Sequence, residues 1–532
     1  MNISYQTIFL AHSEPLSDSF FIERDVNVYQ MARVIHNVLN FKKPPLSQFI
    51  STKTSIKLPY EIPERYQNAF YLANASFYDS TNWFLHRAYE VVFPKLKSEL
   101  LKVDSYKNQT TDRATEKIEE IIKILDQCNS IIDVRFPVKR DNGLQEIIRG
   151  FRAQHGLSAG YSSCLGGLRI HENITRDHMK GLAVLSTYRN ACMGINMAGA
   201  HGGIKICPKN YSPDELQRIV ELYCTELIKK GYRQSLNMAS AGKSSDYGGI
   251  ENHEQMSSQG ALYAINFFLN NEQIMNKVGL TTGIQGKTFI IQGLGKLGAP
   301  LAELLVNGGA ICVGVKEQDA YLYDAKGINL KELYEYKAKN GSIVDYSMTK
   351  PYENDSIYTE ECDILVFAAY HKSLVCHIAK DVKAKVVVEA ADGPLTPTSH
   401  RILTGKSKLV IPDIYACSGA TVASYLEYLR NMQQMRVGDL LRFSRNVYEN
   451  ILNRLSEKHD KVAAAGGSVQ ILSSQDDPKI ITESIESILT DTGNEILRLL
   501  EHHKLGTDAR TAAYMIGIEN IFKAIYYQKI II

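Results

Sequence analysis

One stretch decides how this chain folds: Thr288-Phe289-Ile290-Ile291-Gln292-Gly293-Leu294-Gly295-Lys296-Leu297-Gly298. Its first part has the length and apolar character of a buried strand, and its second part has the glycine pattern GxGxxG. Glycines in this pattern allow a tight turn and the close approach of a pyrophosphate, which the N-terminus of the following helix faces. The stretch therefore predicts a dinucleotide site with Gly293, Gly295 and Gly298 as cofactor-binding residues.

An acidic residue follows the next predicted strand, Ala310–Val315. Glu317 stands about 20 residues beyond the glycines, where a carboxylate accepts hydrogen bonds from the ribose 2′-hydroxyl of NAD. NAD is therefore favoured over NADP, although the neighbouring Lys316 could weaken discrimination against a 2′-phosphate. The alternative is a glycine-rich turn that packs against the sheet and binds no nucleotide.

Apolar runs of strand length continue at Ile364–Val366, Val386–Val388 and Leu409–Ile411. Because they alternate with helical segments, they predict an α/β fold with a doubly wound parallel sheet. The helix at the glycine turn is predicted to run from Gly293 to Asn307. A last helix is predicted around Ala512–Tyr526.

The N-terminal half has helical periodicity followed by a change of period. Apolar residues recur at helical spacing between Ser76 and Leu125, which predicts two amphipathic helices. The segment Ile131–Val138 predicts a strand. Further along, Ser212 with Glu215 three residues later predicts the capped start of another helix.

The composition narrows the class of function. The chain has 532 residues, and its 60 basic and 58 acidic side chains leave a net charge of +2, so no global field draws it to nucleic acid or to an anionic membrane. Its 9 cysteines form no CxxC pair, which argues against a metal site and for a reducing compartment. No apolar run is long enough to cross a bilayer. A small-molecule ligand such as an amino acid or a nucleotide is therefore expected.

Several segments resemble the glutamate dehydrogenase family (the Glu/Leu/Phe/Val dehydrogenases): Gly202–Ser212, Gly286–Gly293, Val410–Tyr415 and Asp508–Tyr514. The chain resembles the long, antenna-bearing hexameric branch as a divergent member. The resemblance implies a homohexamer, NAD(P)-dependent oxidative deamination of glutamate to 2-oxoglutarate, and a mitochondrial location. The first residues do not have the composition of a transit peptide, so a cytoplasmic location stays open.

The resemblance also implies how the chain is divided. We expect an N-terminal substrate-binding and oligomerisation domain, a Rossmann domain, and helical segments around them. The expected ranges are an N-terminal extension (1–75), the substrate-binding and oligomerisation domain (76–280), the Rossmann NAD-binding domain (281–428), an antenna-like helical insert (429–490) and C-terminal helices (491–532).

The amino-acid pocket that the resemblance implies departs from the family at its cationic positions. Leu165 stands where the family has a lysine for the side-chain carboxylate of glutamate. Arg189 replaces a second lysine and keeps a charge for the α-carboxylate, although it could equally be a structural ion-pair partner. His201 replaces the catalytic lysine. It could act as an acid or base, or it could only cap or pack in a glycine-rich turn.

Other positions of the implied site differ as well. The resemblance implies that His253, Ser257 and Ser424 lie around the substrate, with His253 in place of an arginine and Ser257 in place of a threonine. Asp392 replaces an asparagine near the nicotinamide. The family's proton-shuttling aspartate has no counterpart, because the segment that follows Tyr232 is shortened.

These departures leave several hypotheses about function. The first is a catalytically impaired member, or pseudoenzyme, that keeps nucleotide binding, because each missing catalytic group alone costs orders of magnitude in rate. The second is an active dehydrogenase for amino acids with apolar side chains, since Leu165 suits such a side chain. A glutamate dehydrogenase in which another group moves the proton, and a structural or regulatory subunit without a ligand, are the remaining alternatives.

Overall fold

The structure, a computed structural model, describes residues 60–527 apart from 68–71, 74, 104–105, 108, 162, 232–240, 243–248, 347–348, 351–355 and 433–476. Most of the predicted extension (1–75) and of the predicted antenna-like insert (429–490) therefore lies outside the described residues. Within the described ranges, no helix is both long and apolar enough to cross a membrane.

Two helices open the described part of the chain. Helix α1 (Phe77–Leu100) begins after Ser76, whose hydroxyl accepts a hydrogen bond from the Asp79 amide. Thr110 caps helix α2 (Thr111–Leu125) in the same way. The apolar face predicted for α2 is buried against α1, and its members are Ile118, Ile121, Ile122 and Leu125. The two predicted amphipathic helices are therefore confirmed.

The first sheet follows these helices. Its strands are β1 (Ser130–Lys139), β2 (Gln145–His155), β3 (Cys164–Leu165), β4 (Leu168–Ile170) and β5 (Ala198–Ile204). The strand order is β1-β2-β5-β3, with β4 also beside β5. Helix α3 (Arg176–Cys192) packs against β2 and β5, and helix α4 (Pro213–Lys229) packs against β1.

The start of α4 has the capping box that the sequence predicts. The Ser212 hydroxyl accepts a hydrogen bond from the Glu215 amide, and the Glu215 carboxylate accepts one from the Ser212 amide. Both donors would otherwise lack a partner at the helix N-terminus. The predicted helix is confirmed.

Strand β5 contains the glycine-rich segment that the sequence suggests is a turn, and this expectation is wrong. A Cβ atom on Gly199 would lie 2.3 Å from the Ala183 carbonyl oxygen, and one on Gly203 would lie 2.7 Å from the Met179 sulfur. The glycines therefore let α3 pack directly on the strand, a use of glycine that cannot be told from a turn by composition. His201 consequently lies within a fully buried strand.

The second sheet forms the Rossmann domain. Its strands are β6 (Thr288–Gln292), β7 (Ile311–Lys316), β8 (Tyr321–Tyr323), β9 (Thr349–Lys350), β10 (Ile364–Phe367), β11 (Val386–Glu389) and β12 (Leu409–Ile411). The order is β12-β11-β10-β6-β7-β8-β9. The strands from β12 to β7 are parallel, and β8 and β9 are antiparallel additions at one edge. The predicted doubly wound α/β fold is confirmed.

Helices surround this sheet and precede it. They are α5 (Gln255–Leu269), α6 (Glu272–Val278), α7 (Gly298–Asn307), α8 (Leu330–Asn340), α9 (Cys376–Ala379), α10 (Pro397–Gly405) and α11 (Asp413–Ala416). Helix α7 begins at Gly298 and not at Gly293 as predicted. Gly293 has φ +89°, in the left-handed region, so the residues between the two glycines form a turn.

The C-terminal part of the chain is helical, as predicted. It comprises α12 (Ser418–Asn431), α13 (Asp477–His502) and α14 (Ala509–Tyr527). Helix α13 continues across residue 490, where the sequence suggests a boundary between insert and C-terminal helices. Helix α14 includes the predicted last helix and packs against α1 and α3, so the end of the chain returns to the N-terminal domain. One buried apolar cluster includes residues of both sheets, and two further clusters lie in the Rossmann domain and the N-terminal domain, respectively.

Candidate functional site

The glycine turn between β6 and α7 has both a crowded side and an open side. A Cβ atom on Gly298 would lie 1.9 Å from the Gly293 carbonyl oxygen, and one on Gly293 would lie 2.8 Å from the Ala369 Cβ atom. A Cβ atom on Gly295 would meet nothing within 4 Å. Packing therefore requires Gly293 and Gly298, whereas Gly295 borders space in which a pyrophosphate can approach the backbone. The turn fits a dinucleotide.

Glu317 lies beside this turn, directly after β7. Its Oε1 atom accepts hydrogen bonds from the Leu294 amide at 2.7 Å and from the Lys337 ammonium at 2.7 Å. The carboxylate therefore holds the glycine turn in place and is already ion-paired. Lys337 was not predicted as part of this site, because a lysine on a solvated helix such as α8 carries no local signal of a contact with the residue after β7.

Lys316 does not lie on the nucleotide side of the strand. Its ammonium stands 4.7 Å from the centre of the Tyr358 ring and 5.2 Å from that of Tyr321. Burial lowers the pKa of Lys316 to about 8. Neighbouring residues of a strand point to opposite faces, so Lys316 and Glu317 diverge. The Lys316 ammonium therefore lies between two aromatic rings, and its expected effect on discrimination against a 2′-phosphate stays a prediction.

Charged side chains from the N-terminal domain and the Rossmann domain meet at Asp392. Arg189 on α3 donates to Asp392, in the loop after β11, with 2.5 Å between Nη2 and Oδ1. Arg169 on β4 donates from its Nη2 atom to the other carboxylate oxygen of Asp392. We call Arg169, Arg189 and Asp392 the junction cluster. Each of the two Asp392 oxygens thus has its own guanidinium.

The charges of the junction cluster depend on one another. Burial alone would raise the pKa of Asp392, but Arg189 and Arg169 hold it well below its usual range. Burial likewise opposes the charge on Arg189, and Asp392 more than offsets this and raises the pKa of the guanidinium. Asp392 and Arg189 are therefore ionised at neutral pH, and the Asp392 carboxylate offsets the cost of burying the two guanidiniums.

Aromatic side chains pack beside the junction cluster and also come from both domains. The His178 ring lies 4.6 Å from the His371 ring between centroids, and Phe77 lies 5.1 Å from His178 and 5.5 Å from His371. Arg169 Nη1 donates to His178 Nε2 at 3.2 Å. Burial, and then Arg169, lower the pKa of both histidines, that of His371 to about 4. Both rings are therefore neutral at pH 7, and His178 acts as an acceptor.

His201, the residue at the position of the family's catalytic lysine, is buried in β5 next to these groups. Neither of its ring nitrogens has a hydrogen-bond partner within the described residues. Burial, followed by the repulsion from Arg169, lowers the pKa of His201 well below its usual range. The ring is consequently neutral, and it cannot supply the positive charge that a lysine would bring to this position.

The other predicted site residues fall into two places. Leu165 on β3 is buried as part of the apolar core. His253 Nε2 lies 3.0 Å from the Ser424 hydroxyl on α12, so the structure brings these two predicted substrate residues together. Ser257 is buried on α5, in the turn of helix that follows His253.

The junction cluster was only partly visible in the sequence. Arg189 and Asp392 were singled out, but their contact joins residues 203 positions apart in the chain. Arg169 stands four residues after Leu165, a position that the sequence did single out. This short distance in the chain was the available signal that Arg169 belongs to the site. Phe77, His178 and His371 stand in no local pattern that indicates a common site.

Comparisons with known proteins agree with this architecture. Residues 128–240 match the family model for the dimerisation domain of Glu/Leu/Phe/Val dehydrogenases, and residues 248–470 match the model for Glutamate/Leucine/Phenylalanine/Valine dehydrogenase. The chain belongs to the Glu/Leu/Phe/Val dehydrogenase family, as its resemblance implied. Within that family it is glutamate dehydrogenase-like.

Individual relatives support the same assignment. The chain is 30% identical over 441 residues to the mitochondrial glutamate dehydrogenase of Dictyostelium discoideum, covering 76% of this chain and 87% of that one. It is 26% identical over 435 residues to an NADP-specific glutamate dehydrogenase of Halobacterium salinarum, covering 76% and 92%. The hetero-hexameric glutamate dehydrogenase of Thermus thermophilus has the same fold, with a TM-score of 0.61, 23% identity, and coverage of 78% and 96%.

Proposed function

We propose that this chain is a nucleotide-binding member of the family whose amino-acid site does not catalyse the deamination of glutamate. The observation that carries the proposal is the state of His201, which is buried, neutral and without a partner among the described residues. The family reaction needs a cation at this position to polarise the carbonyl group and to stabilise the negative charge that develops on its oxygen. A neutral imidazole does not carry that positive charge.

The sequence around the site supports the same proposal. Leu165 offers no charge for the second carboxylate of glutamate, and an unpaired carboxylate in a buried pocket is strongly disfavoured. The shortened segment Arg233–Lys243 contains no aspartate that could match the proton-shuttling one of the family, and residues 232–240 and 243–248 lie outside the described part. Glutamate would therefore bind poorly, and the proton transfers of the reaction would lack a group to carry them out.

The glycine turn supports retention of the dinucleotide. The family includes NAD-specific and NADP-specific members. We propose NAD for this chain, because Glu317 presents a carboxylate beside the turn and both of its hydrogen bonds end on Oε1, which leaves Oε2 to accept a ribose hydroxyl. A bound nicotinamide would supply hydride-transfer chemistry. The protein would contribute the turn that carries Gly295, which receives the pyrophosphate, and the carboxylate of Glu317, which orients the ribose.

A second candidate function is the oxidation of an amino acid with an apolar side chain. It is favoured by Leu165, which lies in apolar surroundings where glutamate would need a cation. It still requires a cation that polarises the carbonyl group, and a neutral His201 is not one. We therefore rank it second and include leucine in the assay below.

The proposal predicts that glutamate turnover is absent. Purified protein assayed at saturating glutamate with NAD and then with NADP should give less than about 0.01 turnovers per second, well below the roughly 1 to 1000 per second of ordinary enzymes. Formation of NADH or NADPH is followed by absorbance. The Dictyostelium relative, assayed in parallel, is the positive control.

Turnover of glutamate in the ordinary enzymatic range would overturn the proposal, and turnover of leucine alone would establish the second candidate. A double variant, Leu165→Lys with His201→Lys, is run beside the natural protein. Because the shortened segment Arg233–Lys243 has no aspartate to move the proton, this variant should also stay slow.

We also propose that the protein is a homohexamer. The match to a dimerisation domain and the resemblance to the hexameric branch support this state. The exposed Leu144 and Ile147 at the β1–β2 hairpin provide apolar surface on the same domain. Light scattering at micromolar concentration should give the mass of six chains, and the mass of one chain would contradict the proposal.

A further inference from the structure

The junction cluster is a complete carboxylate-binding arrangement in which the carboxylate belongs to the protein itself. Arg169 and Arg189 come from the N-terminal domain, and Asp392 comes from the Rossmann domain. The two guanidiniums divide the two oxygens between them, with 2.5 Å between Arg189 Nη2 and Asp392 Oδ1. Paired charge-assisted hydrogen bonds of this kind are how proteins hold the carboxylates of small acids.

The two arginines need an anion at this position. Both arginine side chains are largely buried. His178 and His371 beside them are neutral, so the positive charge that an anion at this position must balance comes from the two guanidiniums. Two guanidiniums brought together without an anion would repel each other and would lose hydration. The site therefore accepts either Asp392 or the carboxylate of a ligand.

The loop that carries Asp392 is held in place from both sides. The amide of the next residue, Gly393, donates to the Asp413 carboxylate at 2.8 Å. Gly393 has φ +61°, and a Cβ atom there would lie 2.4 Å from the Phe77 ring. Phe77 can pack on this backbone only because residue 393 is glycine. Asp392 is thus presented to the arginines by a fixed loop rather than by a freely moving side chain.

We propose that Asp392 is a built-in carboxylate ligand of Arg169 and Arg189. It takes the position that the carboxylate of an amino or 2-oxo acid would otherwise take. Its two ion pairs also hold the two domains together. The inference deepens the proposed function by naming what fills the acid site. It concerns binding and not turnover, so it stands or falls separately from the absence of catalysis.

The consequence is a penalty on ligand binding. A carboxylic acid from solution must displace a carboxylate that is attached to the same molecule and therefore present at a high effective concentration. The apparent affinity is reduced by the fraction of molecules in which the arginines are free. Removing the charge of Asp392 removes this competition and should strengthen the binding of a free acid.

The test is calorimetric titration of the full chain with 4-methyl-2-oxopentanoate, a 2-oxo acid whose apolar side chain suits Leu165. The variant Asp392→Asn should bind this acid about tenfold more tightly than the natural protein, or more. A purely structural ion pair would predict lost stability without a gain in affinity. Equal or weaker binding by a folded Asp392→Asn variant would overturn the inference.

Asp133→Asn is the matched control. Asp133 also pairs with two arginines, with 2.6 Å to Arg149 Nη2 and 3.7 Å to Arg176 Nη2, but it lies on β1 and both of these arginines belong to the N-terminal domain. The same substitution there should leave affinity for the acid unchanged. A gain in both variants would show a general charge effect and would also count against the inference.

A second variant covers the case in which Asp392→Asn does not fold well enough for titration. Asp392→Ala leaves space beside the arginines for a small anion, so added formate should raise the thermal midpoint of this variant in a dose-dependent way. It should not do so for the natural protein or for Asp133→Ala. If formate stabilises Asp392→Ala no more than Asp133→Ala, the arginines do not form a carboxylate site and the inference fails.

Discussion

Replacing Arg510 with methionine is expected to lower the free energy of unfolding by about 3–5 kcal/mol. Arg510 on α14 is fully buried and donates from Nη1 to Asp413 Oδ1 at 3.1 Å, and from Nη2 to Glu389. Its guanidinium also lies 4.1 Å from the centre of the Phe84 ring. Methionine keeps much of the volume but leaves two buried carboxylates without a cation.

The electrostatics of the acceptors explain the size of this effect. Burial raises the pKa of Glu389 to about 7, with Arg510 opposing the rise and Asp413 adding to it, so the arginine favours the ionised form of Glu389. Without it, at least one carboxyl group must take up a proton or remain charged in the core, and both states cost free energy at neutral pH. Unfolding in urea, followed by circular dichroism, measures the loss.

Arg498→Met is the matched control for this experiment. Arg498 pairs with Glu495 one turn away on α13, and its side chain is 53% exposed. Such surface pairs contribute roughly 0.5 kcal/mol or less, so the unfolding midpoint should barely move. A loss in the Arg510 variant no greater than that in the Arg498 variant would contradict the prediction.

Replacing Gly295 with valine is expected to abolish nucleotide binding while leaving stability nearly unchanged. A side chain at this position meets no protein atom within 4 Å of its Cβ, so the fold accommodates it. It would instead occupy the space through which a pyrophosphate approaches the turn. Fluorescence titration with NADH should show a loss of affinity of at least about a hundredfold, which corresponds to about 2.7 kcal/mol.

Two further glycine variants separate binding from folding. Gly405→Val changes another glycine with nothing within 4 Å, at the end of α10, and should leave both affinity and stability unchanged. Gly298→Ala should lower stability as well as affinity, because its Cβ would lie 1.9 Å from a backbone oxygen. Unchanged NADH affinity in Gly295→Val would mean that the nucleotide does not use this turn. That result would favour the hypothesis of a structural or regulatory subunit without a ligand.

The elements that the sequence predicted well are those encoded by neighbouring residues. The strands of the Rossmann sheet are continuous apolar runs because both faces are covered by helices, and each run was visible by itself. The Ser212–Glu215 capping box was legible for the same reason, since both hydrogen bonds join residues three apart.

The errors arose where glycine has more than one use. At Gly293 a left-handed backbone delays the helix to Gly298, and in β5 the absence of side chains serves close packing with α3. Sequence spacing alone does not distinguish these roles, because each depends on the element that lies opposite.

The candidate site was predicted as a set of positions and not as a set of contacts. Arg189, His201 and Asp392 were each identified, yet the ion pair between Arg189 and Asp392 and the burial of His201 follow from the way two domains meet. Contacts over such distances in the chain depend on tertiary packing, which local patterns do not encode.

The position of Arg510 bears on how this protein can be divided experimentally. The Rossmann sheet ends its strands β11 and β12 at Glu389 and just before Asp413, and the cation that neutralises these acids arrives about a hundred residues later, on a helix packed against the N-terminal domain. Residues 281–428 expressed as a separate fragment would lack that cation. Such a fragment would not represent the full chain in ligand screens. A chimeric protein that contains this domain would also have to contain α14.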